Sequence, residues 1–254
     1  MLDSRYDKHE LNKKSQYLKN EKIKLINCCL NSLEIFYSNN KIFLPKEIQN
    51  NINSYLFDEN QIHTNESLKQ LVKQCKTNND YSCLKNVDTS CVTDMSYMFS
   101  LNYYFNEDIS NWDVSNVEYM TSMFHYCYIF NKSLNNWNVN NVKSMSYMFY
   151  ECKKFNQPLN EWNVSNVENM CAMFDKCNDF NQALNDWDVS NVKCMSCTFS
   201  HCHSFNQPLD KWNVCNVKSM YSMFNCCYSF NQPLNKWNVY CSKYGAYVWS
   251  LLFF

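Results

Sequence analysis

The chain has 254 residues and a mass of 30.5 kDa, which is long enough for an elongated domain with a smaller region beside it. Its formal net charge of −1 does not attract nucleic acid or an anionic membrane, and we expect no nucleic-acid partner. With a single Gly among 254 residues, most turns must be formed by Asn, Asp and Ser.

The N-terminal stretch MLDSRYDKHELNKKSQ is charged and lacks the apolar core of a signal peptide. The sequence therefore predicts an intracellular, cytoplasmic protein, with a surface location as the alternative. In a reducing compartment the 16 Cys are expected to be free, mostly buried thiols. The apolar stretch 247–254 is far shorter than the roughly 20 residues that a membrane span requires, so no span is predicted.

Residues 1–66 contain short apolar clusters among Lys and Asn, and they predict a small helical region. Within it, IFLPKEIQNNINSYL at 42–56 places Pro45 in a first helical turn and sets Ile48 and Ile52 on one face. This pattern is similar to the start of an F-box, which implies docking to a ubiquitin-ligase scaffold. The alternative is a short amphipathic helix that covers an open end of the following repeats. The docking residues would be Leu44, Pro45, Ile48 and Ile52.

A 25-residue repeat dominates the rest of the chain. Tryptophan recurs six times at this step, and Phe, Met and Cys columns keep the same step. The tryptophans are Trp112, Trp137, Trp162, Trp187, Trp212 and Trp237. Units of this length cannot bury their apolar faces alone, so we expect them to stack.

Two periodicities alternate within each unit. Residues 134–140 alternate apolar and polar side chains, as in a short strand, whereas Met145, Met148, Phe149 and Cys152 have the spacing of an apolar helical stripe. The predicted fold is therefore an α/β repeat, a leucine-rich-repeat-like solenoid of about six 25-residue strand-helix units, preceded by a small helical region. A lead-in helix is predicted at 67–81, the solenoid at 82–240, and a C-terminal cap or tail at 241–254.

The run CVTDMSYMFSLNYYFNEDISNWDVSNVEYM resembles the BspA-type leucine-rich-repeat family, also described as a mycoplasma domain of unknown function. The resemblance covers roughly residues 67–240, and TNESLKQLVKQC is similar to the lead-in helix that often precedes these repeats. It implies adhesion or binding to a protein partner, without a defined activity. The predicted function is a non-catalytic protein-protein interaction module; the alternatives are an F-box-like substrate adaptor and a surface adhesin.

The exposed positions of the predicted strands form the candidate binding face. Their polar side chains would lie side by side on neighbouring units, with acidic residues towards one end and Lys towards the other. The alternative is a solvated surface on which Asn ladders hydrogen-bond between units. The residues of this Asn/Asp face are Asn111, Asp113, Asn136, Asn138, Glu161, Asn163, Asp186, Asp188, Lys211, Asn213, Lys236 and Asn238.

The predicted helix over 194–201 also carries a candidate metal site. Cys194, Cys197 and His201 have the spacing i, i+3 and i+7, and Cys226 follows His201 by one repeat. Three thiols and an imidazole could hold zinc, although Cys is common throughout the chain and free thiols are the alternative. No nucleophile elbow, P-loop, dinucleotide fingerprint or HExxH motif is present, so we expect neither enzymatic activity nor a cofactor.

Overall fold

The computed structural model describes residues 63–238. Helix α1 spans Asn65–Asn78, and a short 3-10 helix follows at Ser82–Asn86. The predicted F-box-like segment 42–56 and the predicted tail 241–254 lie outside the described residues.

Helix α1 begins at a capping box. The Thr64 side chain accepts a hydrogen bond from the Ser67 amide at 3.3 Å, and the Ser67 hydroxyl accepts one from the Thr64 amide at 2.9 Å. The helix is capped at its C-terminal end by Asn79, which takes the left-handed conformation with φ 53°. Its buried face carries an apolar stripe: Leu68, Leu71, Val72 and Cys75. The residues predicted as a lead-in helix therefore overlap α1, although its bounds differ from 67–81.

The units from residue 93 onward lie one on another. The Met95 amide donates to the Tyr119 carbonyl at 2.9 Å, and the Met145 amide donates in the same way to the Asn169 carbonyl at 2.9 Å. Parallel bridges occur only as isolated pairs in the described residues, the first joining Asp94 to Tyr119. We call the whole arrangement the repeat stack.

The predicted helix in each unit is wrong. Between residues 145 and 152, the Phe149 amide donates to the Met173 carbonyl of the next unit at 2.9 Å, where a helix would use the Met145 carbonyl. The amides between these cross-unit donors close tight turns instead, as when Met148 donates to the Met145 carbonyl at 3.2 Å. Two successive turns bury the same side chains that a helical stripe with this spacing would bury.

Each pair of turns requires two residues with positive φ. In the third unit these are Tyr147, with φ 57°, and Glu151, with φ 61°. We call the regions around these turns the turn segments, and in all six of them the positive-φ residues are types other than Gly. The turn segments are residues 94–104, 119–129, 144–154, 169–179, 194–204 and 219–229.

The predicted strand is also wrong, so an α/β strand-helix solenoid of the leucine-rich-repeat type does not describe this chain. The Trp137 amide closes a turn onto the Leu134 carbonyl at 3.0 Å, and the Asn140 amide donates to the Asn138 side chain at 3.2 Å. These amides donate hydrogen bonds within their own unit and not to the neighbouring unit. For this reason no sheet forms in residues 63–238. The alternating burial of 134–140 is nevertheless present.

The core consists of aromatic columns that run along the repeat stack. Phe124, Phe149 and Phe174 stack at centroid distances of 5.5 and 5.6 Å, and a second Phe column lies beside them. Both columns are fully buried in the central units, where dense packing excludes water. The Met, Phe and Cys columns are buried as expected, except that Phe230 in the last unit is only partly buried.

The polar atoms of the core residues are satisfied by the preceding units. The Trp162 indole N–H donates to the Leu134 carbonyl at 2.8 Å, and the Cys177 thiol donates to the Phe149 carbonyl at 2.9 Å. The same bonds recur in the other units at Trp112, Trp137, Trp187, Trp212 and Trp237, and at Cys127, Cys152, Cys202 and Cys227. The Cys column therefore consists of free core thiols, each bonded to a backbone carbonyl.

Candidate functional site

The turn segments carry the large apolar side chains that the described residues expose to solvent. We call the surface formed by these segments the turn face. Seven of these nine side chains belong to the first three turn segments, and the other two belong to the sixth. They are Tyr97, Leu101, Tyr103, Tyr104, Tyr119, Ile129, Tyr147, Tyr221 and Tyr228.

Aromatic rings on the turn face contact one another within a unit and between neighbouring units. Tyr103 stacks on Tyr128 at a centroid distance of 5.2 Å, and Tyr126 meets Tyr128 edge to face at 5.9 Å. The Lys153 ammonium lies 4.5 Å from the centre of the Tyr128 ring. These contacts hold the rings in defined positions, so a partner would meet a surface that is already ordered.

Charged groups border the aromatic part of the turn face. The Lys176 ammonium pairs with Glu151 at 2.8 Å and donates to the Tyr150 hydroxyl at 3.0 Å. The bond with the Glu151 carboxylate is the main reason that the pKa of Lys176 is raised, with a smaller contribution from Tyr150. His125 stacks on Tyr150 at 5.0 Å, and burial lowers the pKa of His125. An apolar surface with an ordered polar border is typical of a protein-binding site.

The predicted Asn/Asp face is solvent-exposed at all twelve positions. Several of its side chains, however, accept hydrogen bonds from nearby backbone amides. The Asp113 carboxylate accepts from the Ser115 amide at 3.0 Å, and the Asn163 side chain accepts from the Ser165 amide at 3.1 Å. Such bonds stabilise local turns. Asn138, Asp188 and Asn213 make the same bond in their own units.

The charges on the Asn/Asp face pair with neighbours along the repeat stack. Lys211 contacts Asp186 at 2.7 Å, and Lys236 contacts Asp210 at 2.6 Å. Asn111 donates to the Lys85 carbonyl, and Glu161 accepts from Asn160. The lysines at the predicted basic end of this face are therefore paired with carboxylates, so that end does not present a run of unpaired positive charges.

Other Asn columns act as ladders between units. The Asn156 side chain accepts from the Asn181 amide at 3.0 Å, and the Asn166 side chain donates to the Asn140 carbonyl at 2.7 Å. Both bonds recur at the 25-residue step. Asn therefore replaces part of the backbone pairing that a sheet would supply.

The candidate zinc ligands Cys194, Cys197, His201 and Cys226 are not brought together. No three His, Cys, Asp or Glu residues between 63 and 238 are placed to hold a metal ion. The prediction depended on helical spacing, whereas Cys197 and His201 are the two positive-φ residues of the fifth turn segment. The turns therefore replace the helical face on which the zinc prediction depended.

Ser200, His201 and Asp175 resemble a catalytic triad in composition but not in geometry. Ser200 Oγ lies 2.8 Å from His201 Nδ1, and Asp175 Oδ1 lies 3.4 Å from the same nitrogen. A triad requires the two partners on opposite ring nitrogens, so this cluster lacks the relay that activates serine. Burial raises the pKa of Asp175.

Sequence reasoning missed the turn face because its aromatic residues do not share one repeat position. Tyr97 and Tyr147 share one column, Tyr119 belongs to a second, and Tyr104 belongs to a third. A search for invariant columns finds the core and overlooks this surface. The available signal was the concentration of Tyr in residues 97–150 between the invariant positions.

The fold and the site define a repeat protein that exposes an ordered aromatic surface. The chain belongs to the family described as Mycoplasma protein of unknown function, DUF285, whose model matches residues 66–183 and again residues 158–247. No curated protein matches the chain, and no solved structure matches it. Among residues 63–238, no helix combines the length and apolar character needed to cross a membrane.

Proposed function

We propose that the chain is a non-catalytic interaction protein that binds a protein partner through the aromatic part of the turn face. The supporting observation is the concentration of exposed Tyr, Leu and Ile side chains on the first three turn segments. Tyr104 is 81% exposed, although burying a side chain of that size is favourable. Aromatic side chains on a rigid surface contribute a large share of binding energy at protein interfaces.

The turn face supports this proposal better than the Asn/Asp face. Side chains such as Asp113 and Asn163 already hold local turns, so a partner would compete with intramolecular hydrogen bonds for them. Tyr103 and Tyr147 of the turn face instead contact neighbouring rings, and both side chains remain exposed to a partner.

The test compares two sets of triple substitutions in a partner-binding measurement. One variant replaces Tyr97, Tyr104 and Tyr147 with Ser, and its control replaces the exposed Asn136, Glu161 and Asn238 with Ser. A partner is first captured from cell extract with the wild-type chain, then purified and titrated calorimetrically. We expect the first variant to weaken binding at least roughly tenfold and the control to change it less than about twofold. The reverse order of effects would refute the proposal.

The resemblance to BspA-type proteins agrees with partner binding and adds adhesion to a surface as a narrower version of the proposal. Labelling of intact cells with a membrane-impermeant reagent tests export. The adaptor function is a separate proposal, because it depends on residues 42–56. A pulldown in which Leu44→Asp and Pro45→Ala remove ligase components would support it, and unchanged recovery would exclude it.

A further inference from the structure

Two thiols meet where α1 joins the 3-10 helix. Cys75 lies in the last turns of α1, and Cys83 lies in the 3-10 helix. Their sulfur atoms are 3.1 Å apart, although both residues carry free thiols. The column thiols are arranged differently, because each donates to a backbone carbonyl of a preceding unit.

The backbone between the two thiols is held independently of them. Asn79 adopts the left-handed conformation that ends α1, and the Asp80 amide donates to the Cys75 carbonyl at 3.0 Å. The Asp80 carboxylate then accepts from the Ser82 amide at 2.9 Å. These bonds return the chain towards α1 and hold Cys83 against Cys75. A disulfide requires sulfur atoms about 2.05 Å apart, so closing the bond demands a movement of only about 1 Å.

The two thiols differ in their access to solvent. Cys75 is 2% exposed, and burial raises the pKa of its thiol. Cys83 is half-buried, and a surface depression is lined by both thiols together with Gln74, Asn78, Asp80 and Ser82. A small oxidant can therefore reach Cys83 more easily than Cys75. In this arrangement Cys83 is the thiol that the oxidant attacks, and Cys75 is the resolving thiol.

We propose that Cys75 and Cys83 are a site of covalent modification, where a peroxide oxidant forms an intramolecular disulfide that fastens α1 to the 3-10 helix. In the first step the Cys83 sulfur takes one oxygen from hydrogen peroxide to become a sulfenic acid, and water leaves. The Cys75 thiol then loses its proton and attacks the Cys83 sulfur, the S–O bond breaks, and a second water leaves. Two thiols and one peroxide thus give one disulfide and two waters.

The disulfide would reinforce the covered end of the repeat stack. Helix α1 packs its apolar stripe against the first unit, and the Asn65 side chain accepts from the Thr93 amide at 2.8 Å. Lys69 pairs with Asp94 at 3.2 Å along the same edge. Since end units have a neighbour on one side only, fastening this cap should suppress unfolding that begins there.

The experiment treats the full chain with hydrogen peroxide, blocks the remaining thiols, and maps cross-linked peptides by mass spectrometry. We expect a peptide pair joined through Cys75 and Cys83, and a midpoint of thermal unfolding raised by several degrees relative to the reduced chain. The Cys83→Ser variant should show neither change, whereas Cys91→Ser, which also removes a half-buried cysteine, should show both.

Two results would overturn the proposal. Cys83 could be recovered as a sulfinic or sulfonic acid while Cys75 still reacts with the blocking reagent. Alternatively, Cys75 could be recovered in a cross-link to a different cysteine. Because peptide mapping of the wild-type chain gives either result directly, the conclusion does not depend on the folding of a variant.

Discussion

His63 is a buried ionisable side chain at the entrance to α1. Its amide donates to the Asp88 carbonyl at 2.8 Å, and its Nδ1 lies 3.2 Å from the Ser67 hydroxyl. The other ring nitrogen is buried without a hydrogen-bond partner. Burial lowers the pKa of His63 from 6.5 to about 4, with a smaller opposing effect from Asp88. The folded chain therefore contains neutral His63 at neutral pH.

The depressed pKa of His63 predicts a loss of stability in acid. Between pH 6.5 and 4 the unfolded chain binds a proton at His63 that the folded chain does not. The stability that depends on neutral His63 is therefore fully present above pH 6.5 and falls as the pH is lowered. The loss should reach about 3 kcal/mol in the free energy of unfolding near pH 4. Urea unfolding of wild type and His63→Gln at several pH values measures it. Equal pH dependence in the two chains would contradict the assignment.

Cys194 is the cysteine of the turn face that we expect to react fastest. Interaction with the neighbouring Cys171 thiol is the main reason that the pKa of Cys194 is lowered. Cys197 is a comparison within the same segment, because burial raises its pKa. Since the thiolate is the reactive form, iodoacetamide at neutral pH should modify Cys194 before Cys197.

Substitutions at Cys171 test how this residue influences the reactivity of Cys194. Cys171→Ala removes the neighbouring thiol and should slow alkylation of Cys194 by roughly tenfold, whereas Cys171→Ser keeps a hydrogen-bonding group and should slow it less. Mass spectrometry of peptides over a time course gives both rates. Faster alkylation of Cys197 than of Cys194 in the wild-type chain would show that the thiol pair is not arranged in this way.

At the scale of one element, the turn segments depend on positive-φ residues that are not Gly. Ser122 and Ser146 form a matched pair, because both are almost fully buried serines in neighbouring turn segments. Ser122 has φ 55°, whereas Ser146 is not among the residues with positive φ. The left-handed conformation costs a residue with a Cβ atom about 1 kcal/mol, and Gly avoids this cost.

The matched pair predicts opposite consequences for the same substitution. Ser122→Gly should leave the free energy of unfolding within about 0.5 kcal/mol of wild type, because the relief of strain offsets the entropy of Gly in the unfolded chain. Ser146→Gly gains no such relief and loses hydroxyl contacts with Thr121 and Ser144, so it should destabilise the chain by about 1 kcal/mol or more. Chemical denaturation measures both. A larger loss at Ser122 than at Ser146 would contradict the turn assignment.

The same turns explain which parts of the fold the sequence could predict. The spacing of Met145, Met148, Phe149 and Cys152 correctly predicts burial, since all four are fully buried. It does not predict helix, because two successive turns place the same four side chains on one side of the chain. Gly at the positive-φ positions would have indicated turns in the sequence, but Tyr147 and the other positive-φ residues of the turn segments are not Gly.

For the candidate site, the sequence correctly indicated which polar residues of the Asn/Asp face are exposed. It could not show that Asp113 and Asn163 hold their own turns or that Lys211 pairs with Asp186, because these contacts depend on the backbone conformation and the stacking of units. The aromatic turn face also appears only after stacking, which brings Tyr103 and Tyr128 of different units into contact.

At the scale of the whole repeat stack, nearest-neighbour bonds take the place of a continuous sheet in the part of the chain that the structure describes. Each unit contributes cross-unit backbone bonds, an Asn ladder, a Trp indole bond and aromatic stacking, and all of these join it to adjacent units. This arrangement keeps the turn segments in register, so tyrosines from separate units form one surface. The proposed binding function therefore depends on turns that alternate between local and cross-unit hydrogen bonds.

Scalar coupling across the hydrogen bond of the Phe149 amide tests this central claim most directly. NMR detects which carbonyl carbon is coupled to that amide nitrogen, and the repeat stack predicts the Met173 carbonyl, which accepts the bond at 2.9 Å. A helix over 145–152 would instead couple Phe149 to the Met145 carbonyl. Coupling to Met173 is the result that we predict, and coupling to Met145 would contradict both the turn segments and the surface that they form.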